Sequence, residues 1–526
     1  MHNSRADIPD RGWLAGVDVV TTLAATVMVV AFILFTVSMP DAASHAYTAI
    51  KEFITAKLGW YYITVVNVVL LMAFVLIISP WGKLRLGRDD ERPEFNWFSW
   101  FAMLFSAAVG TGLMFWSVAE PLTHMQGNPF MRMAGLAPNT LASGEQALRI
   151  TLFHWGLHGW AIYILIGTML GYFSYRRGLP LTIRSAFYPL LGKRIYGPLG
   201  HGIDLLAIFA TLFGTATTLG LGVAQMNAGL NQLFGLPIST TSQVILVIIV
   251  SVLATLSVVS GLKKGIRLLS EWNIHLSMVL FAFFVIAGPT LFLLTSFGET
   301  VTSYLVHMVP MGLWVNHDPN DQWQSWWTLF YWGWWLSWGP FVGMFIAHIS
   351  RGRTIRQVLL GGMLASLLSA GAWIVIFGGT AIHLQFFDGI DLASIASSDV
   401  TTVLFRTIDS LATGWLATFM IGMATLMIIT WFVTSADSGT LVICTILSRG
   451  NPHPPTLQRV FWGLFLGATS AVLLLAGGLE ALQTAAIASA LPFSLVLLLM
   501  CFCMLKALVE EHRTPITSHE APVSER

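Results

Sequence analysis

The residues with the most chemistry to offer in this chain are aromatic. Between Trp323 and Trp338, sixteen residues hold seven of its 21 tryptophans, and the centre of the run reads Leu329-Phe330-Tyr331-Trp332-Gly333-Trp334-Trp335-Leu336-Ser337-Trp338-Gly339-Pro340. Phe330, Trp334 and Trp338 recur at i, i+4 and i+8, which is one face of a helix. Two readings fit: a belt of indoles at a membrane interface, or a cage whose ring faces hold a cation. A second set is His154-Trp155, His158, Trp160 and Tyr163. Helical spacing gathers its Trp155, Trp160 and Tyr163 on one broad face, where core packing is the competing account. The two histidines read as buried side chains satisfied by neighbours and not as a proton relay. The third set, Trp431 to Gly439, carries Thr434, Ser435, Asp437 and Ser438. Adjacent hydroxyls are hard oxygen ligands suited to a small cation, but Ser and Thr also bond helix to helix in membranes. Asp437 is an intramembrane acid, either a functional group or a local cap.

These sets need a membrane scaffold. With 55% hydrophobic residues, 10% charged ones and a mean hydropathy of +0.72, the chain cannot cover a water-soluble surface. Apolar runs of about 20 residues fall at 15–38, 60–80, 98–120, 149–173, 202–232, 241–261, 271–296, 328–349, 357–380, 411–440, 457–477 and 483–507. This predicts an all-α membrane protein of twelve spans. If both termini are cytoplasmic, all but five of the 27 Lys and Arg residues lie on that side, the exceptions being Lys51, Lys57, Arg132, Arg149 and Arg406; the positive-inside rule then sets the orientation. The polar start carries Asp7, Asp10 and Arg11 and lacks the basic region of a cleavable signal, so the first span is expected to be retained.

Two long outer loops are expected, Pro121–Gln146 and Phe297–Trp327, each beside a span with broken helix chemistry. One break is Gly110-Thr111-Gly112 and the other Gly339-Pro340. Interrupted spans in corresponding positions point to an inverted-repeat transporter with a midplane site. The domain plan is a tail over 1–14, a transporter unit over 15–507 and a tail over 508–526. Within that unit lie leading helices (15–96), a first repeat (97–300) and a second repeat (301–507). Cys444, Cys501 and Cys503 sit in apolar runs and form neither a disulfide framework nor a metal set. Metalloprotease, nucleophile-elbow and phosphate-loop motifs are absent, so no enzyme is expected. A net charge of +1 gives no reason to expect nucleic acid.

The chain resembles the betaine/choline/carnitine transporters. The resemblance is carried by Gly110 to Pro121, His154-Trp155 through Tyr163, Trp332 to Phe341, Ser350-Arg351-Gly352-Arg353-Thr354 and Thr434 to Gly439. It implies a LeuT-type fold in which spans three to seven and eight to twelve are inverted five-helix units after two leading helices. It implies a substrate box of Trp155, Trp160, Tyr163 and Trp335, a cytoplasmic route past Phe330, Trp334 and Trp338, and a glycine stretch with Gly110 and Gly112 close to the ligand. One sodium is implied at Ser106, Val109, Trp431, Thr434 and Ser435, and a second at Thr211, Thr215 and Phe341. No organic cofactor is implied; sodium is the coupling ion. The partners implied are a zwitterionic or quaternary-ammonium solute, the lipid bilayer of the cell inner membrane and two further copies in a homotrimer.

Three positions depart from relatives or separate them. Neutral Asn273 replaces the arginine of carnitine exchangers, and Gly112 replaces the aspartate of proton-coupled choline carriers; both favour sodium symport of a zwitterion. Ala108 replaces the first glycine of a Gly-x-Gly-x-Gly run, which leaves ectoine, carnitine and dimethylsulfoniopropionate beside glycine betaine. The short segment after Lys506 leads us to expect weak osmotic regulation. A proton-coupled or exchange carrier for choline or carnitine is the alternative within the family, and a receptor for a trimethylammonium ligand the alternative outside it.

Overall fold

A computed structural model describes residues 14–108, 110–259 and 263–513. Its main elements are α1 (Val19–Ser38), α2 (Pro40–Ile78), α3 (Trp97–Ala108), α4 (Thr111–His124), α5 (Leu141–Trp155), α6 (Leu157–Gly171), α7 (Pro198–Phe234), α8 (Thr240–Val259), α9 (Lys263–Ala287), α10 (Thr290–Leu313), α11 (Thr328–Ile349), α12 (Ile355–Ile374), α13 (Trp415–Leu447) and α14 (Thr456–Arg513). An isolated bridge, Arg85 to Thr354, is the one extended pairing among the described residues. Among the described residues, seven helical segments are long and apolar enough to cross a membrane, or eight if the bent pair α9 and α10 counts as one span. The protein is thus an all-helical, multi-pass membrane protein. Helices suit this environment because every internal backbone N–H and C=O is paired within the segment. The hydroxyls follow suit: Thr151, Thr168, Thr211 and Thr425 each donate to the carbonyl four residues back at 2.7–2.9 Å.

The helix breaks decide where polar backbone can meet a ligand. Gly110 is extended (φ −145, ψ −174) and separates α3 from α4, as its glycines predict. A break the sequence reading did not anticipate parts α5 from α6 at Gly156, where a Cβ would fall 2.5 Å from the Leu152 carbonyl. The hydroxyl of Tyr304 on α10 takes the freed Leu157 N–H at 2.9 Å. The long α14 is two helices joined at Gly477 and Gly478, the latter at φ +58, in the gap between the last two expected spans.

Three expectations need correction. Residues 40–59 are not a connection: α2 starts at Pro40, a residue pre-set for the first helical turn. Much of the expected outer loop Phe297–Trp327 is α10, folded back at 110° from α9 across Gly288-Pro289. Glu299, Thr300 and Ser303 end the apolar run without ending the helix. Span eight is not unwound at Gly339-Pro340, because α11 runs through Pro340. Gly339 and Gly343 instead admit a neighbour: a Cβ at either would lie 2.7 or 2.4 Å from Ile166 on α6, and one at Gly167 would lie 2.9 Å from the Gly343 carbonyl. Small residues at a helix crossing let backbones approach closely in a membrane, which seats α11 against α6.

Candidate substrate and ion sites

That close crossing brings the two aromatic sets together. Trp155, Gly159, Trp160 and Tyr163 from α5 and α6 face Trp334, Trp335 and Trp338 from α11, with Gly110, Gly112 and Leu113 closing one end. Trp335 is the central wall. Trp155 meets it edge-on at 4.8 Å between centroids, Tyr163 meets it edge-on at 5.9 Å, and Trp334 stacks on it at 5.1 Å and 10°. Trp160 stands perpendicular to Tyr163 at 5.4 Å. The chamber has about 30 Å³ of free volume, room for one or two waters.

Most of these rings are anchored by their polar atoms. Trp335 Nε1 donates to the His154 carbonyl at 2.8 Å, Trp334 Nε1 to Thr218 Oγ1 at 3.1 Å and Trp155 Nε1 to Glu120 Oε2 at 3.1 Å. The Tyr163 hydroxyl and Trp338 Nε1 are buried and have no partner among the described residues. Two donors of the chamber are thus left unpaired among the described residues.

Eight of the nine expected substrate residues line this one chamber. Phe330 lies outside the lining, stacked on Trp334 at 5.4 Å and against Trp116. Gly110 and Trp338 also border a second cavity of about 390 Å³, lined by Asn273, Phe341, Phe345, Trp431, Thr434, Ser435 and Ser438. Four expected sodium ligands, Trp431, Thr434, Ser435 and Phe341, share that wall. The Thr434 hydroxyl donates to the Trp431 carbonyl at 3.1 Å. Thr211 is tied to its own helix. Thr215 Oγ1 is buried without a partner among the described residues and faces α13, where a Cβ on Gly439 would lie 3.1 Å away. Val109 and the side chain of Ser106 lie outside the described residues. The donor set of hydroxyls and carbonyls suits a hard monovalent cation.

Asp437 pairs with Arg459 at 3.0 Å. In the Trp run, Trp326 is exposed, with the Lys51 ammonium 3.7 Å from its ring centroid. Trp323 and Trp327 do not form a belt with it: both pack on His124, at 5.2 and 4.4 Å. His158 stacks on Trp332, a packing role as expected, but its buried Nδ1 has no partner among the described residues, where neighbours were expected to satisfy it.

The residue that sequence reasoning passed over is Glu120, fully buried on α4 and in contact with His124, His154, Trp155 and Tyr331. An acid within a span is a functional candidate by default, and that signal was present in the sequence. Glu120, His124 and His154 bring metal-capable atoms within 4.8 Å of one another. Each of their ligand atoms already has a hydrogen-bond partner: Trp323 on His124, Thr328 on His154, and Trp155 and Tyr331 on the carboxylate. The cluster is a polar network behind the chamber. A larger void of about 860 Å³ lies between α5 and α10 and is lined by Glu145, Arg149, Glu299 and His307; it has no ring cage.

Comparisons with known proteins point to one family. Residues 19–513 match the betaine/carnitine/choline family transporter, BCCT. A probable glycine betaine transporter of Desulfitobacterium hafniense (strain Y51) is 40% identical over 484 residues, 91% of this chain and 95% of its own. The glycine betaine transporter OpuD of Bacillus subtilis (strain 168) is 42% identical over 487 residues, 92% and 93% of the two chains. An osmo-dependent choline transporter of Acinetobacter baylyi is 40% identical over 506 residues, 95% and 73% of the two. An aromatic chamber, an adjoining oxygen-lined cavity and a family match spanning nearly the whole chain lead to one conclusion: this protein belongs to the betaine/carnitine/choline transporter family and is a transporter, not an enzyme.

Proposed function

We propose that the protein takes up a quaternary-ammonium or related zwitterionic compatible solute, glycine betaine or a close analogue, by sodium symport with alternating access. The observation that carries this reading is the chamber in which Trp155, Trp160, Tyr163, Trp334 and Trp335 converge. A quaternary nitrogen has no N–H to donate, so aromatic faces replace its weak hydration at about 0.5–2 kcal/mol per desolvated ring. The free donors of Tyr163 and Trp338 suit a carboxylate at the other end of the molecule. The names of the glycine betaine relatives support the same substrate class.

Sodium binds in this reading at the oxygens of Trp431, Thr434 and Ser435 with Ser106 and Val109, and a second ion binds near Thr211, Thr215 and Phe341. Tenfold accumulation costs about 1.4 kcal/mol. Each sodium entering down 100 mV releases about 2.3 kcal/mol before its own gradient is counted. Two ions sustain roughly a thousandfold accumulation or more. The architecture we assign is twelve spans with inverted five-helix repeats, 97–300 and 301–507, after leading helices over 15–96. Short tails, 1–14 and 508–526, lie in the cytoplasm, and the protein sits as a homotrimer in the cell inner membrane. Uptake into proteoliposomes tests the coupling. Accumulation is expected with an inward sodium gradient; equal uptake in potassium buffer under a proton gradient would refute sodium symport, and saturable binding without counterflow would identify a receptor.

The box has its own test. Trp335→Ala and Trp160→Leu are each expected to raise the solute Kd by about tenfold or more, with Trp326→Ala within about twofold. Titration of purified variants by tryptophan fluorescence decides it, and equal losses at all three would return the Trp run to an interfacial role.

A further inference from the structure

Glu120 is surrounded by donors. Its Oε1 lies 2.6 Å from His154 Nδ1 and 3.1 Å from His124 Nε2; its Oε2 accepts from Trp155 Nε1 at 3.1 Å and from the Tyr331 hydroxyl. An indole N–H can only donate. Trp323 Nε1 lies 3.3 Å from His124 Nδ1, so that nitrogen presents a lone pair and the ring proton sits on Nε2, toward Glu120. His154 turns Nε2 to the Thr328 hydroxyl at 3.1 Å; a hydroxyl donates as readily as it accepts, so this ring can carry its proton on Nδ1, toward Glu120. In that tautomer the carboxyl group faces four donors and no acceptor, and such bonding favours the charged form. The carboxylate's ion-pairing neighbours among the described residues are these two histidines, with no Lys or Arg. With His154 protonated on Nδ1 the network carries a full negative charge in a dry interior.

We infer that Glu120 is a fixed anion that makes the aromatic chamber select for positive charge, acting through the Trp155 indole that stands between them; this role rests on the onium-carrier reading above. Two effects follow from the geometry. A charge-assisted hydrogen bond polarises its donor, so Trp155 presents a more electron-rich face to the chamber. A buried charge without a counterion is costly, and a cation seated across one indole offsets part of that cost whereas a neutral group does not. The influence extends to Trp335, whose indole is held by the carbonyl of the same His154 that bonds Glu120. Glu120 is a positioning and specificity residue that never touches the guest.

The test uses the full-length protein in lipid nanodiscs with two probes of one shape: glycine betaine, and 3,3-dimethylbutyrate, in which carbon replaces the charged nitrogen. Glu120→Gln is expected to raise the betaine Kd about tenfold and to leave the 3,3-dimethylbutyrate Kd unchanged or lower. Glu120→Asp, which keeps the charge, is expected to retain the preference for betaine. Equal weakening of both probes in Glu120→Gln, as a merely structural role would produce, overturns the assignment, and so does an unchanged betaine Kd. If Glu120→Gln does not fold, Glu120→Asp decides: a folded Asp variant that has lost the preference overturns it. A wild-type protein that binds betaine no more tightly than 3,3-dimethylbutyrate refutes the onium reading itself, an outcome distinct from the failure of Glu120 alone.

Discussion

Gly112→Ala is expected to reduce solute binding by about a hundredfold while leaving the protein folded, because it fills the chamber with the protein's own rings. A Cβ at position 112 would lie 2.6 Å from Trp334 Cη2 and 3.1 Å from Trp155 Cη2. Neither indole can swing clear freely: Trp334 is tied to Thr218 and Trp155 to Glu120. Both rings must tilt into a space of about 30 Å³, where a substrate has to fit. The helix itself does not suffer, since alanine is a better helix former than glycine by about 1 kcal/mol. Radioligand binding together with a thermal melt separates the two effects. Wild-type affinity in a folded Gly112→Ala protein would show that the rings yield, and would remove the argument that this glycine is kept for the chamber.

Arg184→Leu is expected to produce the largest loss of stability, about 3–5 kcal/mol, since it strands buried carboxylates. The Arg184 side chain is 3% exposed and bonds Asp204, whose side chain is 0% exposed. Its backbone N–H also donates to Asp204 Oδ1 at 3.1 Å, and its Nη2 lies 3.6 Å from Asp18 Oδ2. Asp18 caps α1 at Thr21 N and takes Arg449 Nε at 2.8 Å. The cluster thus pins the start of α1 to α7 and to the Arg449 turn. Thermal unfolding reads the effect, and the double variant Arg184→Leu with Asp204→Leu is expected to regain most of the loss. A single variant as stable as wild type would refute it. Burial alone would raise the Asp18 carboxyl above its usual 3.8, but the Thr21 amide, Arg449, Arg184 and His201 hold it lower. Its contribution is therefore present above pH 3.8 and lost as pH falls through the depressed value.

Much of the scaffold was legible because apolar run length reports membrane burial directly. The span expected at 328–349 is Thr328–Ile349, and the one at 202–232 is Pro198–Phe234. Where polarity and helix part company, run length misleads. Glu299, Thr300 and Ser303 ended an apolar run, yet α10 continues through them as a helix set at an angle to α9. Glycine misled at Gly339 for a related reason: it signals either unwound backbone or a close neighbour, and only the position of Ile166 separates the two.

Residue types and their spacing determined by themselves that this is a polytopic membrane protein with two aromatic faces and a hydroxyl pair. Helical period and apolar length are local properties, readable along one segment. The tertiary structure alone decided that Trp155, Trp160 and Tyr163 face Trp334 and Trp335 across one chamber, because that depends on how closely α6 and α11 cross. It alone revealed that Glu120 stands behind Trp155 with donors converging on it from α4, α5 and α11. A carboxylate's charge and purpose depend on which donors surround it in space, and these come from positions up to 211 residues apart in the chain.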